Sequence, residues 1–205
     1  AVTGVQTCAL PISGHGVPGA FMSIIGHNIL NKALFEKKLI EPNQILNFLS
    51  NEIRISLRQK LGDTSIKDGM DLILCAFNFE HKTLKFSGVH IPLVLIRDGK
   101  ATSYKTDNFE IGAPFNSEFQ SYNQQETDIM PNDLVYIFSD GFIDQPGEKT
   151  GAKFLSKNFR KVLMDIHSHP METQKKELNK IITEWKGNKS QIDDILVIGI
   201  KIPTF

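Results

Sequence analysis

The hydrophobic period of this chain changes from helical to extended and back again, and that order limits the folds open to it. From Gly19 the apolar positions Phe21, Ile24, Ile25, Ile29, Ala33 and Leu34 recur at helical spacing. Ile45, Leu49, Ile53, Leu57 and Leu61 follow as a second stripe, with Pro42 suited to its first turn and Gly62 to its end. The pattern then becomes extended. Residues 70–79 and 84–87 flank a His81-Lys82-Thr83 turn, and Leu93–Arg97 and 102–105 flank Asp98-Gly99, the strongest short hairpin signal. A weaker polar strand covers 119–127, and the continuous apolar run Leu134–Phe138 reads as a strand buried on both faces. Helical spacing returns at Phe154, Leu155, Phe159, Val162, Leu163 and Ile166, then at Leu178, Ile181, Ile182 and Trp185, and 195–202 closes the chain as a strand. Helices grouped apart from hairpin-linked strands specify a layered α+β fold rather than alternating βαβ units. Four amphipathic helices need sheet faces to cover. The expected architecture is therefore a four-layer αββα sandwich of two mainly antiparallel sheets flanked by helix pairs.

Composition narrows the function classes. Of 205 residues, 40% are hydrophobic and 22% charged, which suits one folded domain with a real core. Lys+Arg and Asp+Glu both number 23, so the net charge is zero. That excludes the one-sided charge of a disordered chain and argues against nucleic acid or an anionic membrane as partner. The apolar stretches fall far short of the roughly 20 residues a membrane helix needs, so no membrane contact by this segment is expected. Cys8 and Cys75 cannot build a disulfide framework, and Cys75 sits in an apolar run as a buried thiol would; a reducing cytoplasm is the expected compartment. Residues 1–12 carry no charge and no usable period, and Pro11 interrupts them. Lacking the basic start of a signal peptide, they read like a translated cloning or sequencing scar. The expected organisation is a non-native leader over 1–12 and a domain over 13–205, incomplete at its N-terminus.

Few residues could carry chemistry. Gly14-His15-Gly16-Val17-Pro18-Gly19 satisfies G-x-G-x-x-G and opens a helix, and Glu36 stands about twenty residues further on. A dinucleotide site needs strand, helix and a second strand bearing the acid. Here Glu36 lies in the helix and another helix follows, so the motif reads as a tight glycine turn. His167-Ser168-His169-Pro170 reads as a solvated linker rather than a metal site. His27 and His90 have no acid or nucleophile close in sequence, and Cys75 in mid-strand reads as core. Ser139-Asp140-Gly141 is more informative. The strand Leu134–Phe138 delivers an acid at its C-terminal end, where the glycine lets the chain turn away, and Asp193-Asp194 stands just before the last strand. If those strands are antiparallel neighbours, the carboxylates converge at one rim. Carboxylates gathered without His or Cys suit Mg²⁺ or Mn²⁺, which can activate a water and neutralise a phosphoryl oxygen. A turn glycine and a strand cap would leave the same residues in place.

Several separated segments, taken in order, resemble the metal-dependent protein phosphatases of the protein phosphatase 2C superfamily, in particular the bacterial branch related to stage II sporulation protein E. They are the Ser13–Ser23 loop and helix entry with its Gly14-His15-Gly16, Asp68-Gly69-Met70-Asp71, Phe86-Ser87-Gly88-Val89-His90-Ile91-Pro92-Leu93, Ile111-Gly112, Phe138-Ser139-Asp140-Gly141-Phe142-Ile143-Asp144-Gln145 and Gln191-Ile192-Asp193-Asp194-Ile195. The resemblance implies hydrolysis of phosphoserine or phosphothreonine on a protein, in the output module of a bacterial signalling protein. It implies two Mn²⁺ or Mg²⁺ ions, with Asp140 and Asp193 as carboxylate ligands and catalytic residues and the Ile12 backbone carbonyl as a further donor. It also implies a phosphorylated regulator of the anti-sigma factor antagonist kind as substrate. Pro11 stands where the family carries an Asp, and Leu196 where a Thr is usual. Losing a carboxylate weakens ion binding, so this chain is expected to be feeble or inactive. The alternative is a non-catalytic, phosphatase-like partner-binding module.

Overall fold

The computed structural model describes residues 5–8, 17–56, 70–112 and 121–204. Two compact units emerge, one from 1–91 with 105–129, the other from 92–104 with 130–205. Each carries a four-stranded antiparallel sheet and its own helices, as the α+β expectation requires.

In the first unit the sheet runs β1 (Val5–Cys8), β2 (Leu72–Asn78), β3 (Thr83–Val89), β6 (Gln125–Asp128). Strand β1 pairs with β2 in the register Cys8↔Ile73, so four residues of the segment set aside on sequence belong to the sheet edge. Helices α1 (Val17–Asn31) and α2 (Pro42–Ser56) pack on one another, and α2 lies on β2 and β3. Ile45, Leu49 and Ile53 are fully buried, as the four-residue stripe required, and they meet Leu72, Leu74 and Val89. Removing such side chains from water contributes about 1.5–3 kcal/mol each. Leu57, Leu61 and Gly62 lie outside the described residues.

Helix α1 corrects the stripe read from sequence. Phe21 and Ile24 are 61% and 60% exposed, whereas Met22, Ile29, Leu30 and Ala33 are buried. Apolar pairs at Ile24-Ile25 and Ile29-Leu30 leave the inward face ambiguous. Gly26 lies on the inward face, where a Cβ would stand 2.5 Å from the Met70 Cε, so the bare backbone leaves room for the mobile end of that side chain. A π-helical turn over Lys32–Glu36, with Lys37 N–H donating to the Lys32 carbonyl at 2.9 Å, ends the helix. Ile111-Gly112 forms a turn, bridged to Met70. Gly112 has φ +87° and donates its N–H to the buried Ser50 hydroxyl at 3.1 Å.

In the second unit the order is β5 (Lys100–Tyr104), β4 (Leu93–Arg97), β7 (Leu134–Phe138), β8 (Val197–Lys201). Asp98 and Gly99 both have positive φ, 48° and 68°, the geometry of a two-residue turn matched to strand twist. All five residues of β7 are buried, as expected of a central strand. Helices α3 (Asp140–Asp144), α4 (Ser156–Ile166) and α5 (Met171–Lys186) build a core with Tyr136 and Phe138. Its centre is aromatic: the ring of Phe159 lies 4.4 Å from Phe138 and 4.7 Å from Phe142, centroid to centroid. The buried Gln174 amide donates to the carbonyls of His167 and His169 at 3.1 and 2.8 Å and fixes the linker between α4 and α5.

Leu155 departs from the buried stripe read for α4. It precedes the helix, is 55% exposed, and holds φ 74° with ψ 143°, a region costly for any residue with a Cβ. Its main chain explains the strain: the N–H donates to the Ile143 carbonyl at 2.7 Å and the carbonyl accepts from Phe159 at 3.1 Å. Leu155→Gly should keep both bonds and relieve the dihedral. Relief of about 1–3 kcal/mol, less about 0.5–1 kcal/mol of glycine's unfolded-state entropy, predicts a net gain near 1 kcal/mol in urea denaturation. A loss of stability would show that the side chain contributes more than its exposure indicates.

Candidate functional site

The end of β7 and the start of β8 meet at one edge of the second sheet. Phe138 pairs with Val197, and the ladder continues one step further. The Ser139 N–H donates to the Leu196 carbonyl at 2.9 Å, and the Ser139 hydroxyl accepts the Leu196 N–H at 3.0 Å. The same hydroxyl donates to the Asp194 carbonyl at 2.8 Å. A single serine side chain therefore fastens the end of one strand to the run-in of the other.

Asp140 is the next residue and the first of α3. Ser139 is extended (φ −72°, ψ 162°), which breaks the strand and starts the helix, and an acid in the first turn is favoured by the helix dipole. Phe142 sinks into the aromatic core while Asp140 remains exposed. Gly141 does not serve as the turn residue the sequence suggested. It is helical, and its role is close approach: a Cβ on it would stand 2.3 Å from the Asp194 carbonyl oxygen and 2.8 Å from its carbon. Main chain carrying Asp140 thus packs directly on main chain carrying Asp193 and Asp194.

Asp193 and Asp194 are exposed. The Asp194 N–H donates to Asp193 Oδ1 at 2.7 Å, and the Gln191 amide donates to the Asp193 carbonyl at 2.8 Å. An ionised carboxylate offers about four acceptor positions, so this turn leaves the Asp193 carboxylate capacity for another partner. The donors at this rim are carboxylate oxygens without His or Cys, which fits Mg²⁺ or Mn²⁺ and not a softer ion. Among the described residues, no three His, Cys, Asp or Glu side chains converge into a full ligand group. The rim brings two acidic segments side by side. Ile12 and Pro11 lie outside the described residues, as does Gly14-His15-Gly16.

Two features escaped the sequence reading. Gln145, buried at the end of α3, bonds to the loop before Asp193. In the first unit, His90 has an acid after all: its Nδ1 lies 2.8 Å from Asp71 Oδ1, across 19 positions of chain. Partial burial pulls the His90 pKa down, but the Asp71 hydrogen bond and charge outweigh it and hold the ring above the ordinary histidine value. His90 also takes φ 57°, a strained conformation for a residue with a side chain. The His167 ring lies 2.6 Å from the Met164 carbonyl at the end of α4.

The family model described as stage II sporulation protein E (SpoIIE) matches residues 8–203. The chain belongs to the SpoIIE family. Solved structures agree with that assignment. The SiaA-PP2C domain of Pseudomonas aeruginosa is 26% identical with a TM-score of 0.80, over 93% of this chain and 73% of that one. The PP2C phosphatase domain, with a regulatory fragment, of SpoIIE from Bacillus subtilis shares the fold at 17% identity and TM-score 0.69, over 96% of this chain and 53% of that one. The RsbU and RsbW domains of Rv1364c from Mycobacterium tuberculosis do so at 15% and 0.69, over 100% and 57%. This chain therefore spans little more than half of the last two. No curated protein matches it. As a SpoIIE-family chain it belongs to the PP2C-type phosphatase domain family, and its two antiparallel sheets with helices are the fold of those neighbours.

Proposed function

We propose that this domain is a metal-dependent protein serine/threonine phosphatase, the output module of a bacterial signalling protein in the cytoplasm. The observation that carries the reading is the contact of Gly141 with the Asp194 carbonyl, which seats the start of α3 against the Asp193-Asp194 turn. Asp140 and Asp193 would hold Mn²⁺ or Mg²⁺, two ions in all. When bound, such ions supply an activated water and neutralise charge on the phosphoryl oxygens. The chain's own contribution is positional. Ser139 fixes the spacing of the two acidic segments, Phe142 anchors α3, and Gly141 lets the backbones touch. Phosphoryl transfer of this kind is mostly positioning and charge neutralisation, so no covalent nucleophile is required, and Cys75 and Ser87 are buried in the other unit.

The substrate in this reading is a phosphorylated protein of the anti-sigma factor antagonist kind, supported by family membership and by the neighbour with RsbU and RsbW domains. The balanced charge supports a protein over a nucleic-acid partner, and no helix among the described residues is long and apolar enough to cross a membrane. One observation favours the non-catalytic partner-binding reading: Pro11 stands where the family carries Asp. For that reason turnover of p-nitrophenyl phosphate is expected to be weak, and Mn²⁺ calorimetry is the more direct test. The wild-type chain should bind Mn²⁺, and Asp140→Asn should weaken binding at least about tenfold. A wild-type chain that binds no Mn²⁺ would leave the partner-binding module standing, and unchanged affinity in Asp140→Asn would remove Asp140 from the site.

A further inference from the structure

We propose that Gln145 is a positioning residue that holds Asp193 in place, an inference that rests on Asp140 and Asp193 binding the metal. Gln145 is 0% exposed and follows the last residue of α3. Its Nε2 donates to the Ser190 carbonyl at 3.0 Å and to the Pro146 carbonyl at 3.3 Å, while its Oε1 accepts the Ile192 N–H at 3.3 Å. Its own carbonyl accepts the Trp185 indole N–H at 2.8 Å and the Phe154 N–H at 3.2 Å. One residue thus joins α3, α5 and the start of the α4 segment to the loop that leads into Asp193.

That loop cannot be held by burial. Residues 190–194 are all exposed, Ile192 at 53%, and they carry no helix or strand. Gln145 grips Ser190 and Ile192 on one side of Asp193, and Ser139 grips Asp194 and Leu196 on the other. Both clamps flank Asp140 in sequence, so the clamps that place Asp193 also define its position relative to Asp140. The amide is chemically apt, because the loop presents one carbonyl and one N–H, and a primary amide carries a donor and an acceptor in one plane. A carboxylate would lose the donor, and an aliphatic side chain both.

The test is Mn²⁺ calorimetry on the full chain with Gln145→Met and Gln145→Glu, alongside Asp193→Asn, urea denaturation, and amide exchange at 191–194. Partners that orient metal ligands typically contribute about 10–100-fold in affinity, so both Gln145 variants should weaken Mn²⁺ binding by about tenfold or more and speed exchange at 191–194 while remaining folded. Trp185→Phe, which removes a bond to the Gln145 carbonyl but spares the amide, should lose stability without changing Mn²⁺ affinity. A merely structural Gln145 would lower the urea midpoint with the affinity of the folded chain unchanged, and that result overturns the proposal. So does failure of both variants to fold, since Gln145 would then be an ordinary core residue. If Asp193→Asn also leaves Mn²⁺ affinity unchanged, the metal reading itself fails; if Asp193→Asn weakens binding and the Gln145 variants do not, only the positioning role is lost.

Discussion

Gly141→Ala is expected to weaken Mn²⁺ binding at least about tenfold and to cost about 2–3 kcal/mol of stability. The new methyl group would occupy a point 2.3 Å from the Asp194 carbonyl oxygen and 3.3 Å from the Asp193 carbonyl carbon. Both neighbours are main chain, so no rotamer change relieves the overlap. Either α3 tilts out of its aromatic seat or the Asp193-Asp194 turn moves away, breaking the Ser139 bonds at 2.8 and 3.0 Å. Calorimetry and urea denaturation read the two effects separately. An alanine tolerated within about 0.5 kcal/mol and with unchanged affinity would mean that the two backbones do not touch.

Arg97→Met should have the largest effect on stability, a loss of about 3–5 kcal/mol in urea denaturation. Asp133 is only 2% exposed, and both its oxygens are committed. Arg97 Nε lies 2.9 Å from Oδ1 and Nη2 lies 2.6 Å from Oδ2, a paired approach that a lysine could not reproduce. The Met130 N–H adds a further bond at 2.8 Å, and the main chain of Asp133 closes the sheet by accepting the Ile202 N–H, also at 2.8 Å. Methionine keeps much of the aliphatic volume but strands a desolvated carboxylate. The double variant Arg97→Met with Asp133→Leu should recover most of the loss, because replacing both partners removes the uncompensated charge. A single variant that costs less than about 1 kcal/mol would place the pair among weak surface ion pairs.

How much of this was legible in sequence follows from what each signal encodes. The run Leu134–Phe138 is apolar at every position and is the central strand of its sheet, because only a strand covered on both sides needs no polar face. Asp98-Gly99 marks its hairpin because the turn needs two positive φ values that few residue pairs tolerate. Helix faces were harder. On α1 the adjacent apolar pairs satisfy either phase, and the face that is buried is the one that meets Met70, far away in the chain. Leu155 looked like part of a stripe because spacing carries no information about φ. At the site, the acidic residues stand out by type, and the antiparallel neighbouring of β7 and β8 puts their segments together. The groups that secure them do not stand out. Gln145 resembles any polar residue in a loop, and Gly141 resembles any turn glycine, until the chain folds the 190s against them. His90 and Asp71 became partners the same way, through the pairing of Leu72 with Val89.

The place of β8 in its sheet gives the two acidic segments unequal footing. Asp140 issues from β7, which is gripped by a strand on each side, whereas the chain after Asp193 enters β8, paired with β7 alone among the described residues. Opening a border strand sacrifices one row of bonds and an interior strand two, so thermal excursions fall mainly on the border. The separation of the two carboxylates is consequently set by a fixed jaw and a compliant one, and a force applied to the outer margin of β8 would be felt first at Asp193.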